Sequence, residues 1–178
     1  MVRADRAAEI VAAARGTPVL GVFSHQAMDD IVRACDTAGL WGVQLHGPYP
    51  TEIAAQLRSH GLHVWRVARI AEPEDLDQLA EAVPESDAVL VERRVPHAEG
   101  GSGVSLDLAV AHEARNRLAG HMMVLAGGLT PETVGEAVAL VRPEVVDVSS
   151  GVERLPGIKD PDKIARFLEA VLGHSAFR

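Results

Sequence analysis

Along the chain, short uninterrupted apolar runs alternate with stretches in which apolar residues recur every three or four positions. The runs at residues 19–23, 41–45, 63–70, 88–91, 122–126 and 145–148 read as strands covered on both faces. Between them the period is helical. Residues 5–15 place Ala7, Ile10, Val11 and Ala14 on one face and stop at Gly16. Met28, Ile31, Val32 and Cys35 mark the next helix, ended by Gly39. Ile53, Ala54 and Leu57 mark one ended by Gly61, and Leu76, Leu79, Ala80 and Val83 another. Residues 108–118 form a helix, Val134, Ala137, Val138 and Val141 mark one more, and a last opens at Asp160-Pro161 with Ile164, Phe167, Leu168, Val171 and Leu172 on one stripe. A strand and a helix returning about every two dozen residues is the repeat of a βα unit, and it predicts an α/β fold with a parallel sheet under helices.

Two stretches stand out near the C-terminal end. Leu125-Ala126-Gly127-Gly128-Leu129-Thr130-Pro131-Glu132 and Val146-Asp147-Val148-Ser149-Ser150-Gly151-Val152-Glu153 are each an apolar run that stops at glycine. After the first, Thr130 is the expected N-cap and Pro131 the first helical residue. Bare backbone at Gly127, Gly128 and Gly151, with the amide of Ser150, makes an anion cradle. The loops after the last two strands are the usual phosphate site of βα barrels.

Composition narrows the classes. The chain has 178 residues, 47% of them hydrophobic and 3% aromatic, so its core is aliphatic. A net charge of −8 argues against a general nucleic-acid binder but not against binding one small phosphate. One cysteine excludes an internal disulfide framework. No long apolar span predicts a membrane segment, so a cytoplasmic protein is expected. The eight histidines are scattered without metal-ligand spacing, and no metal is expected. No Gly-x-Gly-x-x-Gly follows the first strand, which leaves a dinucleotide fold without support. No low-complexity linker interrupts the chain, so residues 1–178 are expected to form one domain, with the glycine-bearing segment 97–105 as a mobile loop.

Four polar residues sit where strands end or where charge is costly. Glu92 follows the fourth run and is either a catalytic carboxylate or half of an ion pair with Arg93 or Arg94. His46 ends the second run. Asp147 lies within the last run, where an unpaired carboxylate is expensive. Arg66 in the third run is placed to balance these carboxylates, or to form a structural ion pair. Cys35, on the stripe with Met28, Ile31 and Val32, reads as a buried thiol.

The words LAGGLTPETV, DVSSGVE, PGIKDP and VQLHG, in this order and at these separations, resemble phosphoribosylanthranilate isomerase, from about Ala7 to Leu172. The resemblance implies a TIM-type βα barrel with six of its eight units visible, working without cofactor or metal on a small phosphosugar. It implies Glu92 as general acid, where the family carries aspartate. His46 and Asp147 then face the substrate, and Gly127, Gly128, Ser150 and Gly151 hold its phosphate. His25, Val104 and Leu108 depart from the family's usual Asn or Asp, Lys and Trp. The family's base is a cysteine in a first-strand word, Lys-Ile-Cys-Gly, that nothing here matches, and Met1 falls at an internal family position. The expectation is therefore slow turnover or none, from a start assigned too late or from a deletion. The alternative is a non-catalytic phosphate-binding partial barrel; a ribulose-phosphate epimerase would need a metal or paired aspartates. Open edges at the first and last strands predict closure as a smaller barrel, a homodimer that covers them, or poor solubility.

Overall fold

The structure, a computed structural model, describes residues 2–93 and 106–174. The expected mobile loop lies outside them, as do Arg94 and Val104. Two compact units divide the chain: Met1–Val67 with Ala80–Val89, and Ala68–Leu79 with Leu90–Arg178. The sheet has six strands in sequence order, as the βα repeat predicts.

The first unit opens with α1 (Ala4–Ala13), β1 (Leu20–Phe23), α2 (Met28–Ala38), β2 (Gly42–Leu45), α3 (Thr51–Ser59) and the first part of β3 (His63–Ile70), whose last residues from Ala68 fall in the second unit. β1 pairs with β2 and β2 with β3, both parallel. Helix α2 starts with Asp29 and Asp30 in its first turn, where the macrodipole favours negative charge, and ends at Gly39 in the left-handed region. Its inner stripe packs Ile31 and Cys35 against Phe23, Val43, Leu45, Ala54, Leu57 and Val64. Two expectations change here. Ile10 is exposed while Ala7, Val11 and Ala14 are half-buried. β1 is an outer strand, not one covered on both faces: Phe23 turns into the core, and Val22, on the opposite face, is 62% exposed.

The stretch expected as one helix around residues 76–83 is a 3₁₀ helix, Pro73–Gln78, followed by a single α-turn, α4 (Leu79–Ala82). Asp75 favours the tight start by accepting the N–H groups of Ala71 and Glu72.

The second unit holds the rest of β4 (Ala88–Arg93), then α5 (Leu108–Arg117), β5 (Met122–Leu125), α6 (Val134–Val141) and β6 (Val145–Val146). β5 and β6 pair in parallel. Asp107 caps α5 by accepting the Ala109 N–H at 2.8 Å. Regular helix α6 begins at Val134, not Pro131; residues 131–133 form a turn in which the Val134 N–H already reaches Thr130 O at 3.0 Å. β6 is shorter than expected and leaves Asp147 beyond its end. The antiparallel hairpin of β7 (Glu153–Leu155) and β8 (Ile158–Lys159) has no counterpart in the apolar pattern. Helix α7 (Pro161–His174) buries Phe167, but Ile164, Leu168 and Leu172 on the same stripe stay exposed.

Ile31 carries the α2–core contact, so Ile31→Ala should cost about 2–5 kcal/mol. Leu172→Ala on the exposed stripe should change stability by less than about 0.5 kcal/mol. Urea midpoints at constant slope measure both; equal losses would mean the core is misplaced.

Candidate active site

Glu92 sits one residue before the end of β4 and is only 6% exposed. Side chains alternate along a strand, so Glu92 shares a face with Leu90 and opposes Val91 and Arg93. A carboxylate cannot be buried there without a partner. Arg69 of β3 provides one, donating from Nε to Glu92 Oε1 at 3.0 Å. Sequence position pointed to Arg93 or Arg94 for this pairing and missed Arg69, which is remote in the chain and adjacent only across neighbouring strands.

Arg66 is engaged elsewhere, within the first unit. It donates to Thr51 Oγ1 at 3.1 Å, Tyr49 O at 3.1 Å and Pro84 O at 3.3 Å. Burial lowers its pKa, against the opposing effect of Glu81 and Glu52. Strand periodicity separates the two arginines: three residues apart, they point to opposite faces of β3. The carboxylate-balancing role expected of Arg66 is therefore met at Glu92 by Arg69.

His46 follows β2 and continues its ladder, its N–H donating to Phe23 O at 2.8 Å. Its ring Nε2 is hydrogen-bonded to the side-chain amide of Gln44, two residues back and on the same face. Gln44 is buried and was not singled out from the sequence. The i, i+2 spacing within Val43-Gln44-Leu45-His46 is the signal that finds it.

The two glycine-ended loops lie together in the second unit. Gly127 and Gly128 have φ of +90° and +69°, a region L-residues rarely adopt. A Cβ on Gly151 would lie 1.9 Å from Leu129 O, so the loop after β6 presses directly on the loop after β5. A Cβ on Gly127 would lie 3.6 Å from Glu92 Cβ, which sets the first loop beside the buried carboxylate. Among the described residues the N–H groups of Gly128, Ser150 and Gly151 donate to no protein acceptor. Thr130 Oγ1 accepts the Glu132 N–H at 3.3 Å, so its capping chemistry holds ahead of the regular helix. Asp147 adds one rung to the ladder, N–H to Leu125 O at 2.9 Å, and its side chain is exposed. The desolvation cost expected for Asp147 inside a strand does not arise, because β6 ends before it.

Cys35 is 2% exposed in the α2 core contact, and burial, with the nearby Asp36 carboxylate, pushes its thiol up to about 11. It stays protonated at neutral pH. Among the described residues no group of three or more His, Cys, Asp or Glu side chains could hold a metal ion.

The Glu92–Arg69 pair and the Gly127 turn lie close together in the second unit. The family model of N-(5′-phosphoribosyl)anthranilate isomerase matches residues 1–170. The chain belongs to this family. An isomerase of that name from Trichlorobacter lovleyi is 37% identical, with the alignment covering 84% of this chain and 69% of the relative. The crystal structure of phosphoribosylanthranilate isomerase from Thermotoga maritima superposes with a TM-score of 0.85 at 29% identity, covering 97% of this chain and 82% of that one. Another family structure, solved with reduced 1-(o-carboxyphenylamino)-1-deoxyribulose 5-phosphate, gives a TM-score of 0.78 at 28% identity and covers 97% of this chain and 80% of that one. The fold is thus α/β, of the TIM-type βα-barrel class, and the family is an isomerase family of tryptophan biosynthesis. Among the described residues no helix is long and apolar enough to cross a membrane.

Removing one partner of a buried ion pair leaves the other stranded, at a typical cost of 3–5 kcal/mol. Arg69 is 32% exposed, so Arg69→Met should destabilise by less, about 2 kcal/mol. Adding Glu92→Leu should recover most of that loss. Equilibrium urea unfolding measures both; a double variant no more stable than Arg69→Met would show that the pair is not coupled.

Proposed function

We propose that the chain converts N-(5′-phosphoribosyl)anthranilate to 1-(2-carboxyphenylamino)-1-deoxyribulose 5-phosphate, with Glu92 as general acid and the two glycine loops as phosphate site. The observation that carries the reading is the adjacency of Glu92 to the Gly127-Gly128 turn in one compact unit. In the reaction, an acid protonates the furanose ring oxygen, the C1–O bond breaks, and the nitrogen lone pair closes an iminium at C1. A base then takes the C2 proton, leaving an enolamine. Protonation at C1 and loss of the enol proton give the ketone, so atoms balance with no redox partner. Glu92 is the proposed proton donor to the ring oxygen. The N–H groups of Gly128, Ser150 and Gly151 are the proposed hydrogen-bond donors to the phosphate. Asp147, His46 and Arg66 are the proposed substrate contacts, each at or near the end of its strand or on it. The unbroken family match supports treating both units as one domain, and a biosynthetic family fits a cytoplasmic setting. The exposed apolar stripe of α7 supports self-association as a homodimer.

The base is a separate matter. The family's first-strand word has no counterpart in these 178 residues, and a buried Cys35 thiol that stays protonated cannot replace it. A general base contributes roughly 10²–10⁴-fold, so these residues alone should turn over slowly.

Complementation of a tryptophan auxotroph lacking the isomerase tests this. Rescue is expected when a family member's N-terminal strand carrying Lys-Ile-Cys-Gly precedes the chain, and it should be lost on Glu92→Ala but kept on Cys35→Ala. Rescue by the 178 residues alone, still kept on Glu92→Ala, would overturn the assignment. Phosphate binding should persist without catalysis. Gly128→Val should abolish it, whereas Gly120→Ala, also at positive φ but in open space, controls for backbone strain alone. Unchanged phosphate affinity in Gly128→Val would place the site elsewhere.

A further inference from the structure

The β7–β8 hairpin has no role in the proposal so far, yet its two charged ends are tied to the phosphate loop. An ammonium has three donors, and Lys159 has an acceptor for each. Nζ donates to Ser149 O at 2.9 Å, Ser149 Oγ at 3.3 Å and Glu153 Oε1 at 2.8 Å. The other oxygen of Glu153 accepts the Gly157 N–H at 3.0 Å, which closes the hairpin turn. Lys163 of α7 donates to Glu153 O at 2.7 Å, and the Asp160 N–H to Val152 O at 2.8 Å. The hydrogen bond from Lys159, then that from the Gly157 N–H, holds the Glu153 carboxyl below the usual carboxylate range. Ser149 directly precedes Ser150 and Gly151, and on the far side Gly151 rests on Leu129 O. The loop is thus gripped from both sides.

We infer that Glu153 and Lys159 are positioning residues: their pair clamps Ser149 so that the Ser150 and Gly151 N–H groups point at the substrate phosphate, which Lys159 itself does not touch. This rests on the phosphate reading above. The two roles open to Lys159 predict opposite signs. If it were a direct phosphate ligand, Glu153→Gln would remove a competing negative charge and tighten anion binding. If the pair is a clamp, Glu153→Gln loosens the loop and weakens binding.

The experiment is titration of the full chain with inorganic phosphate and ribose 5-phosphate, read at the Ser150 and Gly151 amide resonances, with ribose as the phosphate-free control. Glu153→Gln and Lys159→Met should each weaken affinity roughly tenfold, the scale of coupling within one hydrogen-bonded network, and the double variant should be no weaker than either. Circular dichroism and melting temperature confirm folding, and isosteric Glu153→Gln serves if Lys159→Met does not fold. Exposed Arg154→Ala should leave affinity unchanged. Tighter or unchanged binding in folded Glu153→Gln overturns the clamp. Loss of binding in Gly128→Val with retention in both clamp variants keeps the phosphate site and rejects the clamp. A wild-type chain whose Ser150 and Gly151 amides ignore both phosphates rejects the site, and the clamp with it.

Discussion

A carboxylate on a buried strand must be answered by charge or hydrogen bonds, and the candidate site is built around that requirement. Glu92 lies near the end of β4, after Val91 and before Arg93, and Arg69 on the adjacent strand answers it at 3.0 Å. Burial keeps the carboxyl from bulk water, and the arginine fixes its position. Beside it the chain turns at Gly127 and Gly128 with positive φ, and among the described residues the Gly128 N–H has no protein acceptor. In the proposed reading the acid comes from a covered strand end and the anion donors from a glycine turn. Parallel βα units supply both, because each strand ends where its loop begins.

Much of this was legible in the residues. Apolar runs give the six strands and their order, since a parallel strand covered on both faces has no polar interruptions. The glycine words give the two loops. The misses share a cause: they concern partners and ends, which local patterning does not specify. Arg69 and Arg66 look interchangeable in sequence, and only strand parity shows that one side chain can meet Glu92 while the other turns away. The pattern places Asp147 inside a strand because Val145-Val146-Asp147-Val148 reads as one run, but the strand stops after Val146. The hairpin of Glu153 and Lys159 was invisible because ion pairs, not apolar periodicity, hold it. The 3₁₀ segment before α4 follows from Pro73 and the Asp75 side chain, which favour a tight turn over a long helix.

Glycine carries two meanings here. Gly151 is required by the close pass of the Leu129 carbonyl, and Gly127 and Gly128 by backbone angle. The fold alone would therefore keep all three, with or without an anion. What supports the proposed anion site is that, among the described residues, the N–H groups of Gly128, Ser150 and Gly151 have no protein acceptor. Cys35 shows the converse. It is the only thiol in the chain, yet its environment gives it the properties of a small apolar residue. Chemistry follows surroundings rather than residue type.

The central claim is that one compact unit presents a phosphate cradle and an acid to the same sugar. A crystal structure of the chain with the reduced product analogue tests it most directly. The account predicts the phosphate against the amides of Gly128, Ser150 and Gly151, and a Glu92 oxygen about 2.6–3.2 Å from the sugar oxygen that leaves C1 on ring opening. A phosphate bound elsewhere, or a Glu92 that faces away from the sugar with the phosphate in its cradle, would contradict it.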